Sequence, residues 1–147
     1  MSFLQIAAGL LLAAVVLAIF ALARQGVEGT RRLAWRAEQL LMRMIPPTGT
    51  GEIGEPTWCG LTIRRLAHVV EYALLGLAAS TCMLAWQGAS WHTFAYVLGF
   101  CLLASLADET HKVFVPGRHF DAADLMLDAA GYLFAVLATA CLAALVG

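Results

Sequence analysis

Residues 3–23 carry no charged side chain, and this run restricts the fold more than any other feature of the sequence. A helix of this length covers about 30 Å, the thickness of a bilayer's hydrocarbon core. A cleaved signal peptide is the alternative reading, because Ala21-Leu22-Ala23 resembles a cleavage site. However, no Lys or Arg precedes the run, and it is longer than the ~7–15 apolar residues typical of such signals. The sequence therefore favours a retained first membrane span.

Three further apolar segments follow, at about residues 66–86, 92–107 and 124–146. Over the whole chain 61% of the residues are hydrophobic and only 13% are charged, whereas soluble domains are roughly half apolar. We therefore predict one all-α integral membrane domain over residues 1–147, built as a bundle of four transmembrane helices.

The connection between the first two spans has two parts. Residues 24–45 place apolar side chains at helical spacing among basic ones, which predicts a helix lying in the cytoplasmic membrane surface. A solvated connector helix is the alternative. Residues 46–65 are predicted to form a cytoplasmic loop, because proline and glycine crowd its first half. This loop is either a linker or a mobile flap over a site.

The distribution of basic residues predicts the topology. Seven of the nine Lys and Arg residues lie between spans one and two, and two lie between spans three and four. By the positive-inside rule both connections are cytoplasmic and both termini lie outside. The net charge of −1 does not suggest a nucleic-acid partner. The four cysteines lack a C-x-x-C spacing and are read as core or lipid-facing residues, not as a disulfide framework or zinc site.

This topology brings three charged stretches to the same end of the bundle. Five of the ten carboxylates lie within residues 108–131. Charged groups in such an apolar setting are usually paired, buried in a bundle or functional. Gly131 continues the stripe of aspartates by one turn and is predicted to permit close helix contact. The expected cluster comprises His68, Glu71, Tyr72, Asp108, Glu109, His111, Lys112, Asp121, Asp124 and Asp128.

Counting charges predicts that this cluster needs additional positive charge. Six carboxylates face at most four cations, namely Lys112, Arg118, Arg64 and Arg65. Protonated carboxyls, a histidinium or a bound cation could make up the difference. Carboxylates combined with imidazole suit magnesium, manganese or zinc.

The motifs in residues 66–135 resemble the VanZ-like family of small bacterial membrane proteins. That family has a His-x-x-Glu-Tyr-x-x-Leu-Gly segment, then Asp-Glu-x-x-Gln-x-Phe-x-Pro-Gly-Arg, and then Asp-x-x-Asp with a later glycine. The matching positions here are His68, Glu71, Tyr72, Leu75, Gly76, Asp108, Glu109, Phe114, Pro116, Gly117, Arg118, Asp121, Asp124 and Gly131.

This chain departs from the family pattern at two positions. Lys112 stands where glutamine is usual, and Asp128 stands where asparagine is common. The two charges compensate each other, which predicts a Lys112–Asp128 ion pair. The resemblance implies a bacterial inner-membrane location and a polar site, with a setting in envelope or glycopeptide-antibiotic resistance.

The leading hypothesis is a pocket that binds or acts on a lipid-linked or amphiphilic molecule. Arg118 would bind a phosphate or carboxylate through its guanidinium group. The catalytic candidates are His68, Glu71, Asp108 and Glu109, as proton carriers or cation ligands. The substrate-binding candidates are Tyr72, Lys112, Arg118, Asp121, Asp124 and Asp128.

Three alternatives remain open at this stage. The charged residues could simply tie helix ends together, for example through a Glu71–Arg118 pair. The chain could be an accessory subunit, with His68, His92 or His119 contacting a pigment or haem. Transport is the weakest alternative, because no inverted repeat is visible. For the subunit hypothesis, small residues expected to pack against partner helices are Ala78, Ala79, Ala104, Ser105, Ala130 and Ala135.

Overall fold

The computed structural model describes residues 1–52 and 54–146, apart from the side chain of Val146, as five helices and one short hairpin. Four of the helices, α1, α3, α4 and α5, are long and apolar enough to cross a membrane, which confirms the predicted fold class. The elements are α1 (Phe3–Ala23), α2 (Val27–Met44), β1 (Gly49–Thr50), β2 (Pro56–Thr57), α3 (Ile63–Gln87), α4 (Trp91–Lys112) and α5 (Ala122–Val146).

The closest packing in the bundle is between α3 and α5, and two glycines make it possible. A Cβ atom added to Gly131 would overlap the carbonyl oxygen of Val69 and lie 3.0 Å from the backbone nitrogen of Ala73. A Cβ atom on Gly76 would lie 3.0 Å from the Cα atom of Tyr132. The predicted role of Gly131 in close helix contact is therefore confirmed.

Side chains from α1, α3, α4 and α5 share one apolar core. Tyr72 and Leu75 of α3 pack with Ile19, Val97 and Tyr132 from the other three helices. Many large apolar side chains on the outside of the same helices remain exposed. In a helix bundle of this composition such an outer surface contacts lipid, since a bilayer solvates apolar side chains without penalty.

The loop predicted for residues 46–65 is more structured than its composition suggested. Strands β1 and β2 pair in antiparallel fashion, and Gly54 adopts a φ of +80° in the turn between them. The indole Nε1 of the buried Trp58 donates to the carbonyl oxygen of Ile45, 3.1 Å away. The hairpin is therefore fastened to the end of α2.

The third apolar helix runs further than the apolar run itself. Helix α4 continues past residue 107 to Lys112, and Val113 is its C-cap residue. The last turn carries Asp108, Glu109 and Lys112, and all three are buried within the bundle. Asp108 and Glu109 pair with Lys112 of the same helix, and Lys112 in turn lies near His68 of α3 and Asp124 of α5.

Candidate functional site

Six buried ionisable side chains meet at the end of the bundle where α3 and α5 begin and α4 finishes. Each is less than a tenth exposed, and Glu109 and Asp128 are fully buried. Burial of this kind is tolerated only when charges are paired or hydrogen-bonded. We call this group the polar cluster, and its members are His68, Asp108, Glu109, Lys112, Asp124 and Asp128.

His68 joins α3 to α5 through both of its ring nitrogens. Its Nδ1 lies 2.8 Å from Oδ1 of Asp128, and its Nε2 lies 3.2 Å from Oδ2 of Asp124. A neutral imidazole donates from one nitrogen and an imidazolium from both, so the protonation state decides which carboxylates receive a hydrogen bond. With both nitrogens engaged in this way, ligation of a haem or pigment by His68 is not favoured.

Lys112 supplies one ammonium group to three carboxylates. Its Nζ contacts Glu109 and lies 3.6 Å from Asp108 and 3.7 Å from Asp124. The same Nζ lies 3.4 Å from Nε2 of His68. Lys112 was already among the four cations counted, so these contacts do not supply the additional positive charge that the sequence predicts.

The predicted Lys112–Asp128 ion pair is wrong. Lys112 lies at the end of α4 and reaches Asp124, in the first turn of α5, whereas Asp128 lies one turn deeper. Asp128 pairs instead with His68 and accepts a 2.7 Å hydrogen bond from the hydroxyl of Ser105. The two residues are linked only indirectly, through the imidazole.

The suggested Glu71–Arg118 pair is also wrong. Arg118 donates from Nη1 to the carbonyl oxygen of Ala23, 3.1 Å away at the end of α1. Within the described part of the chain, the half-buried Glu71 carboxylate forms no salt bridge or side-chain hydrogen bond. Glu71 is thus available to a ligand without giving up a salt bridge or side-chain hydrogen bond in the described part of the chain.

Three other predicted residues occupy distinct positions. Tyr72 is fully buried in the apolar core. Asp121 precedes α5 and accepts from the backbone N–H of Ala123 at 2.9 Å, the contact typical of a helix N-terminal cap. Its own N–H donates to Glu109. The guanidinium of Arg64 lies 3.5 Å from Asp124, so one of the two arginines expected near the cluster does reach it.

Sequence reasoning missed Ser105 as a site residue. It was assigned to a surface for partner helices, yet it is fully buried and holds Asp128. Its spacing contained the signal, because it lies three, four and seven residues before Asp108, Glu109 and Lys112. Ala78, Ala79 and Ala135 are likewise buried inside the bundle, so these small residues pack within the chain.

A cleft of about 870 Å³ separates α2 from the rest of the bundle. Its α2 side is apolar and includes Leu33, Ala37, Leu41 and Met44. The bundle side combines apolar side chains, such as Leu22, Leu66 and Val70, with a few polar ones. Of the predicted site residues, those that line the cleft are His68, Glu71, Asp108, Lys112 and Arg118.

The polar cluster also contains donors that could hold a metal ion. His68, Glu109 and Asp128 offer ligand atoms that all lie within 4.8 Å of one another. Imidazole and carboxylate donors suit zinc or a harder divalent cation. However, the ammonium of Lys112 stands beside two of these residues. A divalent ion could bind there only after that side chain moved away.

Comparison with known proteins bears on the whole bundle. The sequence model of a family described as VanZ/LLP1 matches residues 7–143. No curated protein and no solved structure matches the chain significantly. The matched range includes every residue of the polar cluster and most of each membrane-length helix.

Proposed function

The chain belongs to the VanZ/LLP1 family, and from this premise we propose that it binds a lipid-linked or other amphiphilic molecule in the cleft beside its polar cluster. It is a multi-pass membrane protein. The observation that carries the proposal is the mixed lining of the cleft, which is apolar over most of its wall and polar where the bundle contributes Glu71, Asp108 and Lys112.

The size and chemistry of the cleft support an amphiphilic ligand. Sites for small molecules usually enclose ~300–1,000 Å³, with apolar walls and a few polar groups that fix orientation. An alkyl chain would remove the apolar side chains of α2 from water at roughly 25 cal/mol per Å² of buried area. A polar head would contact the ionisable side chains that the bundle contributes to the lining.

We place this end of the bundle at the cytoplasmic face of a bacterial inner membrane, with both termini outside. All nine basic residues lie on α2, on the connections next to it, or at helix ends on the same side of the bundle. Such an asymmetry follows the positive-inside rule. Helix α2 would then lie at the inner leaflet, where a lipid could enter the cleft directly. Envelope maintenance or glycopeptide resistance is the physiological setting we propose.

We propose different roles for the candidate residues. His68, Glu71, Asp108, Lys112 and Arg118 line the cleft and can contact a ligand. Of these, Glu71 and Asp108 are the carboxylates that could exchange a proton with the ligand. His68 lies beside Asp124 and Asp128, the two carboxylates of α5. The candidate residues that do not line the cleft, and that would hold the others in position, are Tyr72, Glu109, Asp121, Asp124 and Asp128.

Filling the cleft is expected to remove a retained lipid. Ala67 lines the cleft, whereas Ala107 is exposed outside it, so Ala67→Phe and Ala107→Phe form a matched pair. Native mass spectrometry of protein released from phosphatidylglycerol-containing nanodiscs should show one phospholipid retained by the wild type and by Ala107→Phe. Ala67→Phe should lower this occupancy about tenfold, equivalent to ~1.4 kcal/mol.

Equal lipid retention by the two phenylalanine variants would remove the basis for the proposal. Thermal unfolding of both proteins in detergent provides the control for folding. If Ala67→Phe proves unstable, Ala37→Phe fills the same cleft from α2 and replaces it in the comparison.

A further inference from the structure

We propose that a second, smaller cavity beside the cleft is an anion site that binds a phosphate group. It has a volume of about 290 Å³ and lies between α2, the start of α3 and the connection from α4 to α5. The inference deepens the proposed function and rests on it in one respect, since the phosphate is taken to be the head of the amphiphile. The cavity is lined by Val27, Thr30, Arg31, Ala34, Arg64, Gly117, Arg118 and His119.

Three separate elements each contribute an arginine to this cavity. Arg31 comes from α2, Arg64 from the first turn of α3, and Arg118 from the connection before α5. No carboxylate is among the described residues that line it. Guanidinium groups present several N–H donors in a planar fork that matches phosphate oxygens, so converging arginines recognise phosphate well.

Much of this hydrogen-bonding capacity is not used inside the protein. Arg118 commits Nη1 to the carbonyl oxygen of Ala23, and a guanidinium has five N–H donors in all. Arg64 approaches Asp124 at 3.5 Å, but its side chain is 56% exposed. Within the described part of the chain, Arg31 forms no salt bridge. These arginines thus retain N–H donors with which they could bind an anion.

A glycine allows the connection to approach α2 closely enough to form the cavity. Gly117 has a φ of +79°, a conformation that side-chain-bearing residues rarely adopt. A Cβ atom added there would lie 3.1 Å from Cγ2 of Val27. The neighbouring Arg118 therefore lies near the start of α2 and lines the same cavity as Arg31.

The cavity adjoins the cleft. Thr30, Ala34, Arg64 and Arg118 line both. A phosphate among the arginines would thus be next to an alkyl chain lying along α2. This arrangement identifies the ligand class as an amphiphile whose head carries a phosphate, and a free phosphate ion shares the same recognition chemistry.

A pair of matched double variants separates this site from general attraction between basic residues and membranes. Arg31→Gln/Arg64→Gln removes two arginines of the cavity. Arg36→Gln/Arg65→Gln removes two exposed arginines from the same two helices, and neither lines the cavity or the cleft. Each double variant changes the net charge by the same amount.

The probes are dioleoyl phosphatidic acid and dioleoylglycerol, which share their chains and differ by the phosphate. Native mass spectrometry from phosphatidylcholine nanodiscs should show that the wild type prefers phosphatidic acid by about tenfold. Arg31→Gln/Arg64→Gln should abolish that preference, and Arg36→Gln/Arg65→Gln should keep it within about twofold. Competition by millimolar inorganic phosphate would assign the site to free phosphate as well, and resistance to it would assign the site to a lipid head.

An equal loss in both double variants, or equal retention of phosphatidic acid and dioleoylglycerol by the wild type, overturns the inference. Failure of the phosphate site can be distinguished from failure of the cleft proposal. If both lipids are retained equally and Ala67→Phe releases them, the cleft stands without the phosphate site. If calorimetry detects inorganic phosphate that Arg31→Gln/Arg64→Gln no longer binds, while no lipid is retained, the phosphate site stands without the cleft.

Discussion

Replacing Gly131 with alanine is expected to force α3 and α5 apart and to destabilise the bundle by about 1–3 kcal/mol or more. The added methyl group would overlap the carbonyl oxygen of Val69 and crowd the nitrogen of Ala73. Both are backbone atoms of α3, so rotation of a side chain cannot relieve the overlap. Thermal or denaturant unfolding of the purified protein in detergent should show a clearly lowered midpoint.

Gly99→Ala is the matched control for this experiment. Gly99 also lies in a membrane-length helix, but apart from its chain neighbours and the nearby backbone of its own helix, no atom lies within 4 Å of its added Cβ. Alanine favours a helix over glycine by ~1 kcal/mol, so this variant should be as stable as the wild type or more stable. If Gly131→Ala behaved in the same way, the close approach of α3 and α5 would be ruled out.

The same substitution should disturb the polar cluster. Gly131 lies less than one turn beyond Asp128, and His68 lies just before Val69 on the opposing helix. Separation of the two backbones at this point would lengthen the 2.8 Å contact between His68 and Asp128. The glycine therefore connects helix packing to the geometry of the ionisable groups.

The bundle and the meeting of distant charged residues could both be predicted from the sequence. Length and hydrophobicity define membrane helices, because a bilayer demands a fixed apolar span. Their alternating directions then determine which helix ends come together. This reasoning brought His68, Asp108 and Asp124 to the same end of the bundle, and the structure places them there.

The pairing within the cluster could not be predicted in the same way. Topology determines the end of the bundle at which a residue lies, but not the rotation of each helix or the reach of a flexible side chain. Lys112 was therefore assigned to Asp128, although it reaches Asp124 one turn nearer. Ser105 was overlooked because a small polar residue fits a helix interface and a hydrogen-bonding role equally well.

The sequence predicted a pocket but, for a related reason, not that α2 forms one of its walls. The amphipathic pattern of α2 shows that one of its sides needs an apolar cover. Lipid and the side of a helix bundle satisfy that requirement equally. The three-dimensional arrangement shows that α2 and α3 both line the cleft. The paired strands that fasten the end of α2 were similarly hidden in a segment rich in glycine and proline.

Lys112→Gln and Asp128→Asn should each destabilise the protein strongly, and the double variant should be more stable than the sum of the two losses implies. Removing one member of a buried charged group leaves the others unbalanced, at a cost of ~3–5 kcal/mol. The double substitution restores the charge balance and introduces the residues usual in the family pattern. We expect a coupling free energy of about 0.5–3 kcal/mol from unfolding measurements on all four proteins.

A repeat of this cycle with His68→Gln in every protein tests how the coupling is transmitted. Lys112 and Asp128 each lie near one nitrogen of the same imidazole, at 3.4 and 2.8 Å. If the imidazole carries the coupling, it should fall to near zero in the His68→Gln background. Lys112 with Glu109 is the matched pair, because these side chains touch directly and their coupling should survive the loss of His68. Coupling between Lys112 and Asp128 that persisted without His68 would instead indicate the direct ion pair that the sequence alone suggested.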